Sequence, residues 1–341
     1  LFRVPATAHR ERRFPVRRKL KVNAGEAASK RLPLFNVQRT ILDNQHNPEK
    51  DRIGQAFALA RAEKPAYADL YPFLETLFLL RADGKSAARP EPFELSAEHA
   101  RARWEGSFPL LRRWEFPLDT EAAESLLGMI AGSLPEDNVQ LKGAHVSLSR
   151  ALANHPEERT AIWRSFLQHE MEPWEEWLDV AGVDTASLLF LARNCLRPSV
   201  ELVAEDLLQR FPIPKEWLKG YCPVCGSLPS LLFLEKEGQR NGYCSWCGTS
   251  WGLNRLQCCY CDNRFHESLG YLYAEAETHY HIQYCNLCKY YFKLVLTGEL
   301  LYPPYLPLEE WTTLHLDLLA QRAGFKQPPS PSPVVYGDAP A

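Results

Sequence analysis

Apolar residues return every three or four positions from about Arg39 to Arg210, the period of helices that bury one face. Ile53, Phe57 and Ala60 share a face on a segment that stops at Pro65. Leu70, Phe73, Leu74, Leu77 and Phe78 form a second stripe, with Pro72 suited to a first helical turn. Residues 85–92 read as a loop. A helix from Asp119 carries Ala123, Leu126, Leu127, Ile130 and Leu134 and ends at Pro135. Another runs from Pro156 through Ile162, Phe166 and Leu167 until Pro173 breaks it. Asp184 caps a helix bearing Leu188, Leu189, Ala192, Cys195 and Leu196, and a last one starts near Pro198 with Val200, Val203, Leu207 and Leu208. The pattern predicts a helix bundle. No strands alternate with these helices, which argues against a Rossmann-type sheet.

Beyond Trp217 the texture changes. Short β-rich runs fall at 231–234, 269–273, 278–284 and 290–296. In the third, Thr278, Tyr280, Ile282 and Tyr284 alternate with His279, His281 and Gln283, which is strand periodicity. After Pro303, Pro304 and Pro307 a final helix is expected over 308–322, with Trp311, Leu314, Leu318 and Leu319 on its apolar face and Gly324 at its end. The expected organisation is a basic, disordered tail (1–38), a helical domain (39–215), two four-cysteine metal modules (216–298), a C-terminal helix (299–326) and a flexible proline-rich tail (327–341). The fold class is thus an α-helical N-terminal domain plus a small β-rich domain of tandem rubredoxin- or zinc-ribbon-like metal modules.

Charge refines this picture. Residues 1–32 hold ten Lys/Arg and two Glu, a net of +8 within a chain of net −3, so the remainder carries −11. An acidic body argues against a broad nucleic-acid surface, which needs cations to replace phosphate counterions. No run of 18 uncharged apolar residues exists, so no membrane insertion is expected, and no secretory signal is seen. The expected compartment is the reducing cytoplasm, where clustered cysteines serve metals more often than disulfides.

Nine of the ten cysteines lie between 222 and 288, and eight form four C-x-x-C pairs: Cys222/Cys225, Cys244/Cys247, Cys258/Cys261 and Cys285/Cys288. Two such pairs supply the four thiolates of one tetrahedral site. Eighteen residues separate Cys225 from Cys244, a usual ribbon spacing, and twenty-three separate Cys261 from Cys285, which a longer hairpin absorbs. The first two pairs are assigned to site one and the last two to site two. A crossed pairing, first with third and second with fourth, is the less favoured alternative. Gly226 and Gly248 directly follow a cysteine pair, and Asp262-Asn263 follow Cys261; such residues accept the left-handed turn of a metal knuckle. Four copies with no βαβ context argue against thioredoxin-type dithiols. The expected cofactors are two metal ions, iron or zinc, since a four-sulfur site suits both.

The other candidates receive plainer readings. Cys259 is a buried or idle thiol, although it could replace Cys258 as a ligand. Cys195 belongs to the core. His266, His279 and His281 are surface or strand positions, since eight thiolates already fill two sites. The dense aromatic residues from Tyr260 to Phe292 could stack bases, but more readily build the small cores that metal modules lack. No phosphate loop, nucleophile elbow or catalytic triad is visible, so no catalytic or cofactor-binding residue is expected beyond the cysteines.

These residues resemble the formate dehydrogenase accessory proteins of the FdhE type. The likeness rests on Gly220-Tyr221-Cys222-Pro223-Val224-Cys225-Gly226-Ser227-Leu228-Pro229, on Tyr243 to Cys247 with Trp251 and Arg255, and on Cys258 to Cys261 with Gly270-Tyr271-Leu272. It continues through Cys285 to Lys293 and Thr313 to Ala320, with Tyr71 to Leu74 and Arg197-Pro198 in the helical half. The resemblance implies a cytoplasmic, non-enzymatic maturation factor. It implies a partner, the molybdenum- or tungsten-containing catalytic subunit of a formate dehydrogenase, and metal, iron in rubredoxin-like sites, on the eight paired cysteines. A zinc-ribbon nucleic-acid-binding protein is the alternative, and an electron-transfer component a third reading.

Overall fold

The computed structural model describes residues 47–167, 183–274 and 277–329, all within one unit that begins at Asn47. The two tails expected from sequence fall largely outside these residues, and so does the break at Pro173. Helix α1 spans Pro48–Glu63 and α2 Tyr71–Ala87. Asn47 accepts the amide of Glu49, and Pro48 stands where a missing amide proton costs nothing. Helices α3 (Ala97–Glu105), α4 (Thr120–Ala131), α5 (Val139–Asn154) and α6 (Arg159–Ser165) follow. Helix α7, Thr185–Arg210, is the axis against which α2, α4 and α5 pack.

Three expectations change here. The residues around Pro198 form one continuous helix, not two. A mid-helix proline costs about 3 kcal/mol through its lost hydrogen bond and ring clash. Pro198 is buried against α2, where a Cβ on Gly84 would stand 3.4 Å from its ring, so close packing offsets that cost. The expected loop at 85–92 begins later, because α2 continues to Ala87. The final helix is split into α8 (Leu306–Glu309) and α9 (Leu314–Arg322). Thr313 marks the break; it is fully buried and turns its hydroxyl to the Glu309 carbonyl.

The cysteine half folds as one six-stranded sheet, in the order β3-β2-β1-β6-β5-β4. Its strands are β1 (Leu231–Leu234), β2 (Arg240–Tyr243), β3 (Ser250–Leu253), β4 (Leu269–Tyr273), β5 (Tyr280–Cys285) and β6 (Tyr291–Val295). Each trio is antiparallel, and the trios join through parallel β1–β6 pairing, Leu232 opposite Leu294. Both faces of this seam are covered. Leu232, Trp251, Phe292 and Leu294 pack into the core shared with the helices. Leu231, Phe233, Ile282, Tyr291 and Val295 pack with Leu316 and Ala320 of α9. That sandwiching explains why every residue of β6 is buried. Among the described residues no helix is long and apolar enough to cross a membrane.

Candidate metal centre

Each trio of strands carries the same two turns. One knuckle precedes its first strand; the other joins its second and third. Cys222 to Cys225 lies before β1 and Cys244 to Cys247 links β2 to β3, while Cys258 to Cys261 lies before β4 and Cys285 to Cys288 links β5 to β6. In all four, the amide of the first cysteine donates to a carbonyl five residues on: Ser227, Thr249, Asn263 and Tyr290. The amide of the residue after the second cysteine donates back to the first cysteine's carbonyl. That residue takes positive φ each time: 73° at Gly226, 75° at Gly248, 56° at Asp262 and 63° at Lys289. The glycines and Asp262 were legible as turn formers. Lys289 was not, because lysine carries no local preference for this region.

The turns bring together Cys222, Cys225, Cys244 and Cys247 in one cluster and Cys258, Cys261, Cys285 and Cys288 in a second, with all four sulfurs of each within 4.8 Å of one another. The grouping is sequential, not crossed. A metal about 2.3 Å from four sulfurs places neighbouring sulfurs about 3.8 Å apart. The Cys222–Cys247 and Cys225–Cys244 sulfurs are 3.6 and 3.5 Å apart, and the Cys258–Cys288 and Cys261–Cys285 sulfurs 3.7 and 3.8 Å. No disulfide could hold such separations, whose bond is about 2.05 Å. The donor sets therefore fit four-sulfur ions in both clusters, and both clusters could hold a metal. Four sulfurs alone leave iron and zinc undistinguished.

Site one sits against the helices. The amides of Leu110 and Leu111 donate to the carbonyls of Pro223 and Val224, and the Trp104 indole also donates to Pro223. The Arg113 guanidinium donates through two nitrogens to Ser227 Oγ, at 3.1 and 2.8 Å, and Cys225 Sγ lies 3.1 Å from the same oxygen. Thr249 Oγ1 is 3.2 Å from Cys247 Sγ. Site two has a leaner surround, in which Asn263 Nδ2 reaches Cys285 Sγ at 3.4 Å.

The sulfurs share their protons unevenly. Burial pushes the Cys222 thiol up, and its contacts with Cys225, Cys244 and Cys247 push the same way. Burial would also raise Cys244, but hydrogen bonds from Cys222, Cys225, Cys247 and the Cys247 amide hold it well below an ordinary thiol. In site two, burial likewise opposes ionisation of Cys285, yet hydrogen bonds from Asn263 and the Cys288 and Leu287 amides bring it down to about 7. Cys258 is raised, chiefly by burial. A metal entering either cluster would displace the protons its sulfurs carry.

Cys259 lies outside both clusters. It is buried, and Arg240 Nη2 donates to its sulfur at 3.2 Å while also donating to Gln283 at 2.6 Å. Its carbonyl makes a tight contact with Gly220, where a Cβ would fall 2.2 Å from that oxygen. Gly220 precedes site one and Cys259 belongs to a site-two knuckle, so this contact sets the two modules against each other. Gly220→Ala is expected to cost about 3 kcal/mol, the upper end of overpacking, read as a lower midpoint in urea denaturation of the metal-loaded protein. Cys195 is core, as expected, with burial raising its thiol. His266, His279 and His281 stand outside the clusters. Tyr280, Tyr291 and Phe292 build core, whereas Phe265, Tyr271 and Tyr273 are exposed.

No protein-family model matches the chain. It is 34% identical over 149 residues to a protein named FdhE homolog from Aquifex aeolicus, covering 42% of this chain and 51% of that protein. It is 27% identical over 210 residues to an FdhE homolog from Haemophilus influenzae, covering 49% of this chain and 65% of that protein. The chain therefore spans about half to two thirds of the length of these curated relatives. The crystal structure of the FdhE protein from Pseudomonas aeruginosa has the same fold, with a TM-score of 0.58 at 18% identity over 83% of this chain and 95% of that one.

Proposed function

We propose that this chain, which resembles FdhE-type proteins in sequence and shares their fold, is a non-enzymatic accessory factor in the maturation of a formate dehydrogenase. Its partner is the catalytic subunit that carries molybdenum or tungsten, met in the cytoplasm. The eight paired cysteines hold two metal ions, iron or zinc. The observation that carries this reading is the pair of four-sulfur clusters in a fold shared with a protein named FdhE, joined to sequence likeness with proteins named FdhE homolog. Four sulfurs close a site, leaving no position for a substrate, which favours a binding role over catalysis. The test is co-purification. Tagged protein is expected to retain the formate dehydrogenase catalytic subunit from its native host, and deletion of its gene to lower formate oxidation without lowering the subunit's synthesis. Full formate oxidation in the deletion strain would exclude the role.

A further inference from the structure

The two clusters have the same turns and the same donors, but not the same access to solvent. In site one all four cysteines are buried, at most 2% exposed. The first knuckle lies in an unbroken buried run, residues 222–229. Between its cysteines Val224 is 0% exposed, and Trp246 in the second knuckle is 6% exposed and stacked beneath Arg113; Ser245 is partly exposed, and Gly248, just after Cys247, is exposed. The first knuckle is further covered by the 104–113 segment, through the backbone hydrogen bonds of Leu110 and Leu111 to Pro223 and Val224.

Site two faces outward. Cys261 and Cys288 are partly exposed, while Cys258 and Cys285 are buried. Asn286 and Leu287, the residues between Cys285 and Cys288, are both exposed, Leu287 by 69%. Asp262, Arg264 and Phe265 after Cys261 are exposed as well. The knuckle 285–288 is a hairpin tip, tied to the rest of the fold by Asn286 N to the Ser268 carbonyl and, just beyond it, by Lys326 N to the Lys289 carbonyl. Segments with exposed backbone and few buried contacts open locally, at a small fraction of the free energy of global unfolding.

We propose that site two is an exchange site and site one a staple: an external thiolate replaces Cys261 or Cys288 as a metal ligand far faster than any ligand of site one, whose cysteines are at most 2% exposed. This rests on the metal-centre reading above and deepens it. The replacement is a ligand exchange. One metal–sulfur bond forms as another breaks, the released cysteine takes a proton from water, and no electron moves. The wall of the site, Cys258 and Cys285, keeps its place while the two outer ligands turn over. The partner chemistry that fits is a thiol-bearing donor or acceptor of a soft metal ion, approaching over Leu287 and Phe265.

Protein loaded anaerobically with two equivalents of zinc is challenged with dimercaptosuccinate, and release is followed by zinc analysis of the protein fraction. One equivalent is expected to leave at least about a hundredfold faster than the other, as local opening outruns global opening. In parallel, brief iodoacetamide treatment of the unmutated, zinc-loaded protein followed by mass spectrometry should mark Cys261 and Cys288 and spare Cys222, Cys225, Cys244 and Cys247. Cys288→Ser should abolish the fast equivalent and keep the slow one. Equal release rates, or early alkylation of site one, overturn the inference while leaving the metal centres standing. Failure to take up any zinc, iron or cobalt overturns both.

Discussion

Replacing Cys222 and Cys225 together by serine is expected to abolish the cooperative unfolding transition of the metal-loaded protein, whereas the paired Cys261/Cys288 replacement should only shift it. Structural zinc in small modules is worth about 10–16 kcal/mol, which matches or exceeds the about 5–15 kcal/mol that separates a folded domain from its unfolded chain. That energy alone does not decide the outcome; position does. Site one is part of the core that the helices share with the sheet, in which Cys222, Val224, Cys225, Cys244 and Cys247 are all members. Without its ion, two remaining thiols and two serine hydroxyls would stay buried with no tetrahedral partner, each unsatisfied polar group adding about 1–3 kcal/mol. The Leu110, Leu111 and Trp104 bonds to Pro223 and Val224 would lose their anchor in the same event. At site two the damaged turns face water, which can satisfy what the metal no longer holds. Differential scanning calorimetry of both double variants, prepared with zinc in excess, measures the contrast. Equal losses in the two variants would show that the sheet, not the buried cluster, carries the coupling to the helices.

The grouping of the cysteines was legible because their turns are local. A C-x-x-C turn with glycine behind it declares its own geometry, and the 18-residue spacing between Cys225 and Cys244 already favoured sequential grouping. The helical stripes of α2 and α4 were equally local. Strands β2 and β3 were not expected from sequence. Arg240-Asn241-Gly242-Tyr243 lacks the β-branched residues that mark a strand, and it is extended because it is paired on both sides, with β1 and β3. The parallel β1–β6 seam, which makes one sheet of two modules, joins residues some sixty positions apart and leaves no local trace. Helix α5 did carry a signal, Leu141, Ala144, Leu148 and Ala151 behind the Asn138 cap, diluted by lysine, serine and histidine between them. Helix α3 carried almost none, since Ala100 is its one fully buried residue. The unequal exposure of the two clusters was invisible too. It depends in part on residues 104–113, which lie more than a hundred positions from the first knuckle they cover.

Glu201→Gln is expected to destabilise the protein by about 3–5 kcal/mol at neutral pH, the cost of leaving buried cations without their anion. Glu201 lies on α7 and receives Arg197 one turn before it, Arg81 of α2 at 3.3 Å and Lys85 at 3.7 Å. Arg197 also donates to the Tyr243 hydroxyl at 2.8 Å, next to Cys244 of site one. One carboxylate therefore ties two helices to the strand that enters the metal turn. Burial would raise its pKa, but the charges of Arg197, Arg81 and Lys85 overcome this and hold it at about 2. A depressed carboxylate contributes stability above its ordinary pKa and loses it as the pH falls through the depressed value. The contribution is thus complete at pH 7 and declines from about pH 4.5 towards about pH 2. The glutamine side chain keeps the shape and one acceptor oxygen, so what it removes is the charge. Arg81 and Arg197, each about 90% buried, then face each other without the carboxylate they share, leaving only the Glu310 carboxylate to act on Arg197. Urea denaturation of the wild type and the variant across this range, with the metal content of both verified at each pH, isolates the effect as a difference. The gap in midpoint should be widest near neutrality and close as the acid side is reached. A gap below about 1 kcal/mol at pH 7 would place this pair with surface ion pairs and show that solvent reaches the guanidiniums.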